Sequence, residues 1–226
     1  MRALRALIAI AVLAVVPAEA LAACPTLGPP KSAGDPATAG FTAGPPYGRA
    51  PLQVRMGWWT YPVEDPVSFE IEIDGAPASR AATDAGVSSH TFTQPGPHTV
   101  AGRVIDRTGR AVTRAVSIEV KPAADFDREV STLWAAFKAA LARGDVGEAL
   151  ECVTSHARDR ARATLVPGGP RVREVLSHAD TLTFAGKVSS VDLEYRTDFV
   201  GGRALPLVLS PDIDDVWRFD AGGWTP

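Results

Sequence analysis

Side chains that can bond, titrate or stack are few in this chain, and few of them stand in suggestive company. The two cysteines, Cys24 and Cys152, are far apart, and neither has a second cysteine or a histidine at metal-ligand spacing, so no metal site is expected. Trp58, Trp59 and Tyr61 put three aromatics into four residues. Neighbours on a strand face opposite ways, so one indole of the pair turns outward unless covered, and an exposed indole can stack on a sugar ring. The commoner use of such a pair is one tryptophan in a core and the other beneath a loop or a second module. Asp192 and Glu194, two apart, would share a strand face with Tyr195 opposite. Paired carboxylates can divide acid and base roles when burial separates their pKa values, although two on one strand more often form its wet face. Arg158, Arg160 and Arg162 could face an anion, but Asp159 lies among them, as on a solvated helix surface. His90 and His98 have strand-like spacing without a paired carboxylate in sequence, which suits core or edge packing. No Gly-x-Ser-x-Gly, His-Glu-x-x-His or phosphate-cradling loop occurs, so no catalytic residues, no cofactor and no enzymatic activity are assigned.

Several elements must position these residues. With 226 residues and 46% hydrophobic content, the chain is long enough for one or two packed domains. The formal net charge of -3 leaves no basic footprint, and nucleic acid is not an expected partner. At the N-terminus, Arg2 and Arg5 precede an apolar run from Leu7 to Val16, the length of a signal-peptide core and too short for a membrane span. Residues 1–23 are therefore predicted to be a signal peptide and the protein to be exported. Ordinary peptidase could cut after Ala18-Glu19-Ala20 or Ala20-Leu21-Ala22. Alternatively, Leu21-Ala22-Ala23-Cys24 is similar to a bacterial lipobox, whose cysteine is acylated. If it is one, the protein is a membrane-anchored lipoprotein; if not, Cys24 survives with Cys152 as its one intramolecular disulfide partner. Residues 24–40, dense in Pro, Gly and Ala without apolar periodicity, read as a flexible tether, and a spacer of that composition favours the lipid.

Beyond the tether the hydrophobic period changes once. Val100 and Val104 alternate with Thr99 and Arg103; Asp106-Arg107-Thr108-Gly109 supplies turn chemistry; Val112, Val116, Ile118 and Val120 resume the alternation. This is a hairpin, with Gly109 in a positive-φ position. Met56, Trp58, Val67, Phe69, Ile71 and Ile73 supply strand positions for the sheet opposite it. Lys121-Pro122 breaks the pattern, and Phe126, Val130, Leu133, Trp134, Phe137 and Leu141 then recur at helical spacing, with Asp125 as the expected cap and Gly144 as the stop. Asp145 and Glu148 form a capping-box pattern for a second helix, and a third is expected over Ser155 to Leu165. A short helix through Val172 and Leu176 should follow, then strands over Thr181–Phe184, Val188–Thr197, Ala204–Leu209 and Asp215–Asp220. Helices first and antiparallel strands later is the α+β order. The predicted fold is thus multidomain, an all-β sandwich over residues 41–121 followed by an α+β module over 123–226, each expected to fold alone.

Two resemblances sharpen this. Phe41-Thr42-Ala43, Ala50-Pro51-Leu52, His90-Thr91-Phe92, Gln94-Pro95-Gly96 and Val104-Ile105-Asp106 together resemble a polycystic kidney disease (PKD) domain, an immunoglobulin-like sandwich. His98 stands where that family usually has a tyrosine, and Asp74-Gly75 is a reduced form of its acidic loop, which puts a calcium role there in doubt. The run Leu133 to Asp145, with Val216-Trp217-Arg218-Phe219, is similar to the nuclear-transport-factor-like or cystatin-like modules of exported bacterial proteins. That resemblance implies a cone between helix and sheet, in which Asp180, Asp192, Glu194, Tyr195, Asp198 and His178 would be the candidates for chemistry. The resulting expectation is a non-enzymatic cell-envelope protein, periplasmic or lipid-anchored, that makes protein or glycan contacts. Its alternatives are a carbohydrate-binding accessory protein using Trp58 or Trp59, and a small-ligand or catalytic cone.

Overall fold

The computed structural model describes residues 24–28, 41–59, 66–81, 85–106, 108–166, 181–197 and 205–220. The anticipated hairpin is its longest pairing. Strands β7 (Gly96–Asp106) and β8 (Ala111–Lys121) run antiparallel, and Gly109 between them has φ 82°. Any residue with a Cβ is strained at that angle, which is why a glycine closes the turn. Val100, Val104, Ile118 and Val120 point inward and are buried, as their alternation requires. Around this hairpin a five-stranded sheet is ordered β2-β8-β7-β4-β5, where β2 is Tyr47–Arg49, β4 is Pro66–Ile73 and β5 is Ala76–Ala81. A three-stranded sheet, β1 (Phe41–Gly44), β3 (Leu52–Trp59) and β6 (Ala85–Phe92) in the order β1-β3-β6, covers its inner face. Phe41, Val54, Met56 and Phe92 from one sheet meet Phe69, Ile71, Val100 and Ile118 from the other.

One strand is in a different sheet from the one expected. Phe69, Ile71 and Ile73 do not oppose the hairpin; β4 bonds to β7 within the hairpin's own sheet, Phe69 opposite Val104 and Ile71 opposite Gly102. Alternation specifies which face of a strand is apolar but not which sheet it joins. The β4–β5 connection is a tight turn with positive φ at both Asp74 (51°) and Gly75 (78°), the backbone twist that two-residue hairpins favour.

Where β8 ends, the chain becomes helix α1 (Ala123–Arg143), which buries Phe126, Val130, Leu133, Trp134, Phe137 and Leu141. Gly144 ends it in a left-handed conformation, as expected. Its N-cap, however, is Pro122 and not Asp125, which sits in the first turn paired with Arg128. A proline can open a helix because it has no N–H to leave unbonded there. Helix α2 (Val146–Glu151) starts at Asp145, whose carboxylate accepts the Glu148 N–H at 2.9 Å. A 3-10 turn (Ser155–Ala157) leads into α3 (Arg158–Leu165). The helices pack on an antiparallel meander of β9 (Leu182–Lys187), β10 (Leu193–Thr197), β11 (Leu205–Pro211) and β12 (Trp217–Asp220). The run expected as one strand over Val188–Thr197 is broken by a turn in which the Ser189 hydroxyl donates to Asp192 at 2.7 Å. The helix expected through Val172 lies outside the described residues.

The second core is not drawn from residues after the boundary alone. Tyr47, from the sandwich, and Leu27, from the expected tether, are both buried in it, beside Phe126, Trp134 and Trp217. This corrects the flexible assignment for Cys24 to Gly28. Leu27 is bridged to β12, its carbonyl accepting the Trp217 N–H at 2.8 Å, and so has a fixed partner.

Candidate functional site

A polar cluster lies where the sandwich meets the α+β module, and β2 builds it. This short strand pairs in parallel with the end of β8, Tyr47 opposite Glu119 and Arg49 opposite Lys121. Its backbone thus belongs to the sandwich while its side chains reach the helix. The Tyr47 hydroxyl donates to Glu129 on α1, and its carbonyl accepts the buried Trp217 indole N–H at 2.7 Å. At Gly48 a Cβ would come within 2.6 Å of the Leu52 methyl and 3.2 Å of the Trp217 ring, so glycine lets strand and indole approach closely without displacing either side chain. Arg49 forks onto Asp127 of α1, Nε to Oδ1 at 2.9 Å and the second nitrogen to Oδ2 at 3.2 Å, with its guanidinium 3.8 Å from the centre of the Phe184 ring. The Tyr195 hydroxyl donates to the same Oδ1 at 2.7 Å.

The electrostatics of this cluster oppose acid–base work. Burial, reinforced by the hydrogen bond to Asp127, pushes the Tyr195 phenol far above its ordinary range. Burial and Glu129 do the same to Tyr47. Both phenols are fixed donors at neutral pH, and the Asp127 carboxylate is balanced by Arg49. What the arrangement can do is hold α1 and the β9–β10 hairpin against the sandwich, helped by Lys187, whose ammonium donates to the Pro51 carbonyl at 3.1 Å.

Of the described residues proposed for a catalytic cone, Asp192, Glu194 and Tyr195, it is Tyr195 that reaches this cluster. Asp192 belongs to the β9–β10 turn and Glu194, on β10, pairs with Arg196 at 2.8 Å, so the two carboxylates do not share the face of one strand as expected. Asp180, Asp198 and His178 lie outside the described residues. Trp58 is not a sugar platform: it is 7% exposed and stacked on Phe69 with ring centres 5.0 Å apart. A Cβ at Gly86 would fall 2.0 Å from its ring, so the indole fills the space that glycine leaves. The Trp59 side chain and Tyr61 lie outside the described residues. Arg158 is held by Glu151 and the Val153 carbonyl, each at 3.3 Å, consistent with a surface helix. Among the described residues no group of three or more His, Cys, Asp or Glu could hold a metal ion, and no helix is long and apolar enough to cross a membrane.

The two cysteines are brought together. Cys24 and Cys152 form a disulfide across 128 residues of sequence, with Cα atoms 5.5 Å apart. Its setting is the outer edge of β12, where Leu27 bonds at Trp217, while the Cys152 carbonyl accepts from the Phe219 N–H and the Thr154 N–H donates to the Phe219 carbonyl. The bridge joins the two segments that cover this edge. A sulfur in a disulfide has no valence left for a lipid thioether, so this pairing runs against the lipid that the tether's composition favoured.

Sequence reasoning missed a second polar centre. Asp212, nearly fully buried, accepts from the Ser155 N–H at 2.8 Å, from the Ser155 hydroxyl at 2.6 Å and from Arg218 at 2.8 Å. Burial alone would raise its pKa, but the bonds from Ser155 and the backbone, with the charge of Arg218, outweigh it and leave the carboxyl lowered. Arg218 also holds Asp214 down to about 2. The network pins the β11–β12 turn to the start of the 3-10 turn, and no local pattern at Ser155 announces a partner 57 positions away.

The first part of the chain is a sandwich of a five-stranded and a three-stranded β-sheet, an arrangement compatible with an immunoglobulin-like fold, and it is followed by helices on an antiparallel sheet. No family model and no curated protein matches the chain. Among solved structures, fibronectin(III)-like modules of Clostridium thermocellum CbhA match at 15% identity, over 38% of this chain and 91% of theirs, with a TM-score of 0.30. A CARDB domain from Pyrococcus furiosus matches at 12% identity, over 35% of this chain and 87% of its own, with a TM-score of 0.25. The Clostridium perfringens spore cortex lytic enzyme SleM matches at 14% identity and a TM-score of 0.30, over 36% of this chain, which spans only 27% of that enzyme.

Proposed function

We propose that this chain is an exported, non-enzymatic protein of a bacterial cell envelope, in which a PKD-like sandwich is carried on a cystatin-like α+β module and makes contacts with protein or glycan. The observation that carries this reading is the Cys24–Cys152 disulfide, because such bonds persist in oxidising compartments and Cys24 directly follows the leader-like segment. It favours the periplasm over a lipid anchor. The cluster at Arg49, Asp127 and Tyr195 supports a spacer, since its charges and phenols act between the two modules. A glycan contact would have to use Trp59 and Tyr61 without Trp58. Intact mass of the mature protein, expressed with its own leader in a bacterium and recovered by fractionation, tests the reading. The expected product is periplasmic, cut before Cys24 and lighter by two hydrogens than its reduced form. A lipid adduct on Cys24, or free thiols on a cytoplasmic product, would overturn it. Co-sedimentation with isolated peptidoglycan sacculi then separates glycan from protein contact.

A further inference from the structure

His98 stands at the start of β7 with both ring nitrogens on oxygen atoms. Nδ1 is 2.8 Å from Oδ2 of Asp74 in the β4–β5 turn, and Nε2 is 2.9 Å from the Gln94 carbonyl, four residues upstream in the β6–β7 connection. The other Asp74 oxygen accepts the Thr99 N–H at 2.8 Å. A carbonyl can only accept, and an ionised carboxylate can only accept, so both contacts require an N–H on the ring. Neutral imidazole has one N–H; imidazolium has two. The observed corner is satisfied in full only by the protonated ring, and its loss of a proton turns one contact into a lone pair facing an oxygen.

The geometry points to a proton-operated corner: His98 in its charged form ties the β4–β5 turn to the β6–β7 connection, and deprotonation releases one of them. Immunoglobulin-like sandwiches commonly use a tyrosine hydroxyl near the start of this strand to bond the backbone a few residues upstream. The bond from His98 to Gln94 has that form, with a group that titrates near neutrality in place of one that does not. The charged groups facing it are Asp74 from the turn, Glu119 from β8 and, across Phe92, His90 from β6. Its side chain is 15% exposed, and Phe92 packs on the ring with centres 4.5 Å apart, so water only partly replaces a lost bond. The corner lies at the end of the sandwich that carries the second module: His98 pairs with Ile118, next to Glu119, which pairs with Tyr47 of the polar cluster. The corner thus lies one residue along β8 from the pairing through which β2 enters the junction.

The sign follows from the two shifts. The hydrogen bond to Asp74 raises the His98 pKa above 6.5, so its contribution is whole below that value and is lost as pH rises through the raised one. The bond to His98 lowers the Asp74 pKa below 3.8, so its contribution is whole above that value and is lost as pH falls through the lowered one. The corner is therefore strongest in the mildly acidic window between 3.8 and 6.5. The test follows the His98 ring proton by NMR titration in the full-length mature protein, alongside thermal melts of wild type, H98Y and D74N. Tyrosine keeps a ring on Phe92 and one donor for Gln94 but does not titrate here, while His90, His156 and His178 remain as a common background. The expected result is a His98 midpoint above 6.5 that falls in D74N, and a Tm that drops about 2–4 °C further in wild type than in H98Y from about pH 5.5 to about pH 8.5. A midpoint at or below 6.5, a midpoint unmoved in D74N, or parallel Tm profiles for wild type and H98Y would each overturn the proposal.

Discussion

Among the described residues, the sandwich core draws its buried side chains from one stretch, Phe41 to Val120, whereas the core beneath α1 adds Leu27 and Tyr47 to residues running from Phe126 to Phe219. The first core is closed by two sheets that the local sequence itself supplies. The second is closed by a borrowed tyrosine at one side and a borrowed strand segment, held by a disulfide, at another. Independence of folding is thus a property of where a module's covering residues lie in the chain, and a boundary drawn at a change of periodicity does not guarantee it.

The two cores should differ most in their response to substitution at Trp217, the side chain on which the borrowed pieces converge. It is 1% exposed, lies edge-on to Phe126, donates to the Tyr47 carbonyl and receives Leu27 on its backbone. Trp217→Ala should cost about 3–5 kcal/mol, the range for deleting a buried large aromatic. In urea unfolding monitored by hydrogen exchange, the loss should fall on α1 and β9–β12 and leave the β7–β8 hairpin protected.

Removing the staple comes next. Cys152→Ala should destabilise the second module by about 2–4 kcal/mol, the usual range for a native disulfide, with up to about 5 kcal/mol allowed by chain entropy for so long a loop. The Trp217 N–H, which donates to the Leu27 carbonyl, should exchange faster in the variant. Exchange rates at β3 and β6 should not change.

The smallest effect belongs to the self-contained core. Gly109 has φ 82° and open space around its Cβ position, so the Cβ of Gly109→Val meets no neighbour and the expected cost is that of backbone strain, about 1 kcal/mol or somewhat more. A thermal melt of the variant measures it, and a melt identical to wild type would show that the turn tolerates another geometry.

These contrasts also explain what could be read in advance. Alternation and turn residues are local signals, so the β7–β8 hairpin, the stop at Gly144 and the cap at Asp145 were all legible. Cys24 and Cys152 were legible as a pair, but their union was not, because what supports it is Leu27 lying along β12, and one leucine in a Pro/Gly-rich run shows no periodicity. The Arg49–Asp127–Tyr195 cluster joins three elements whose polar residues each look like ordinary surface when read alone. Trp58 was ambiguous for a different reason: alternation says that one indole of the pair turns inward but not which, and Gly86, which makes room for it, is on another strand.

The most direct test of the difference between the cores is to express three fragments, 41–121, 123–226 and 24–226, and to follow each by thermal denaturation and near-ultraviolet circular dichroism. Fragment 41–121 should melt cooperatively by itself. Fragment 123–226, lacking Leu27, Tyr47 and the disulfide, should show no cooperative transition, while in 24–226 the same segment should melt cooperatively, in addition to the sandwich. A fragment 123–226 that folds alone and melts where the same segment melts in 24–226 would contradict the account.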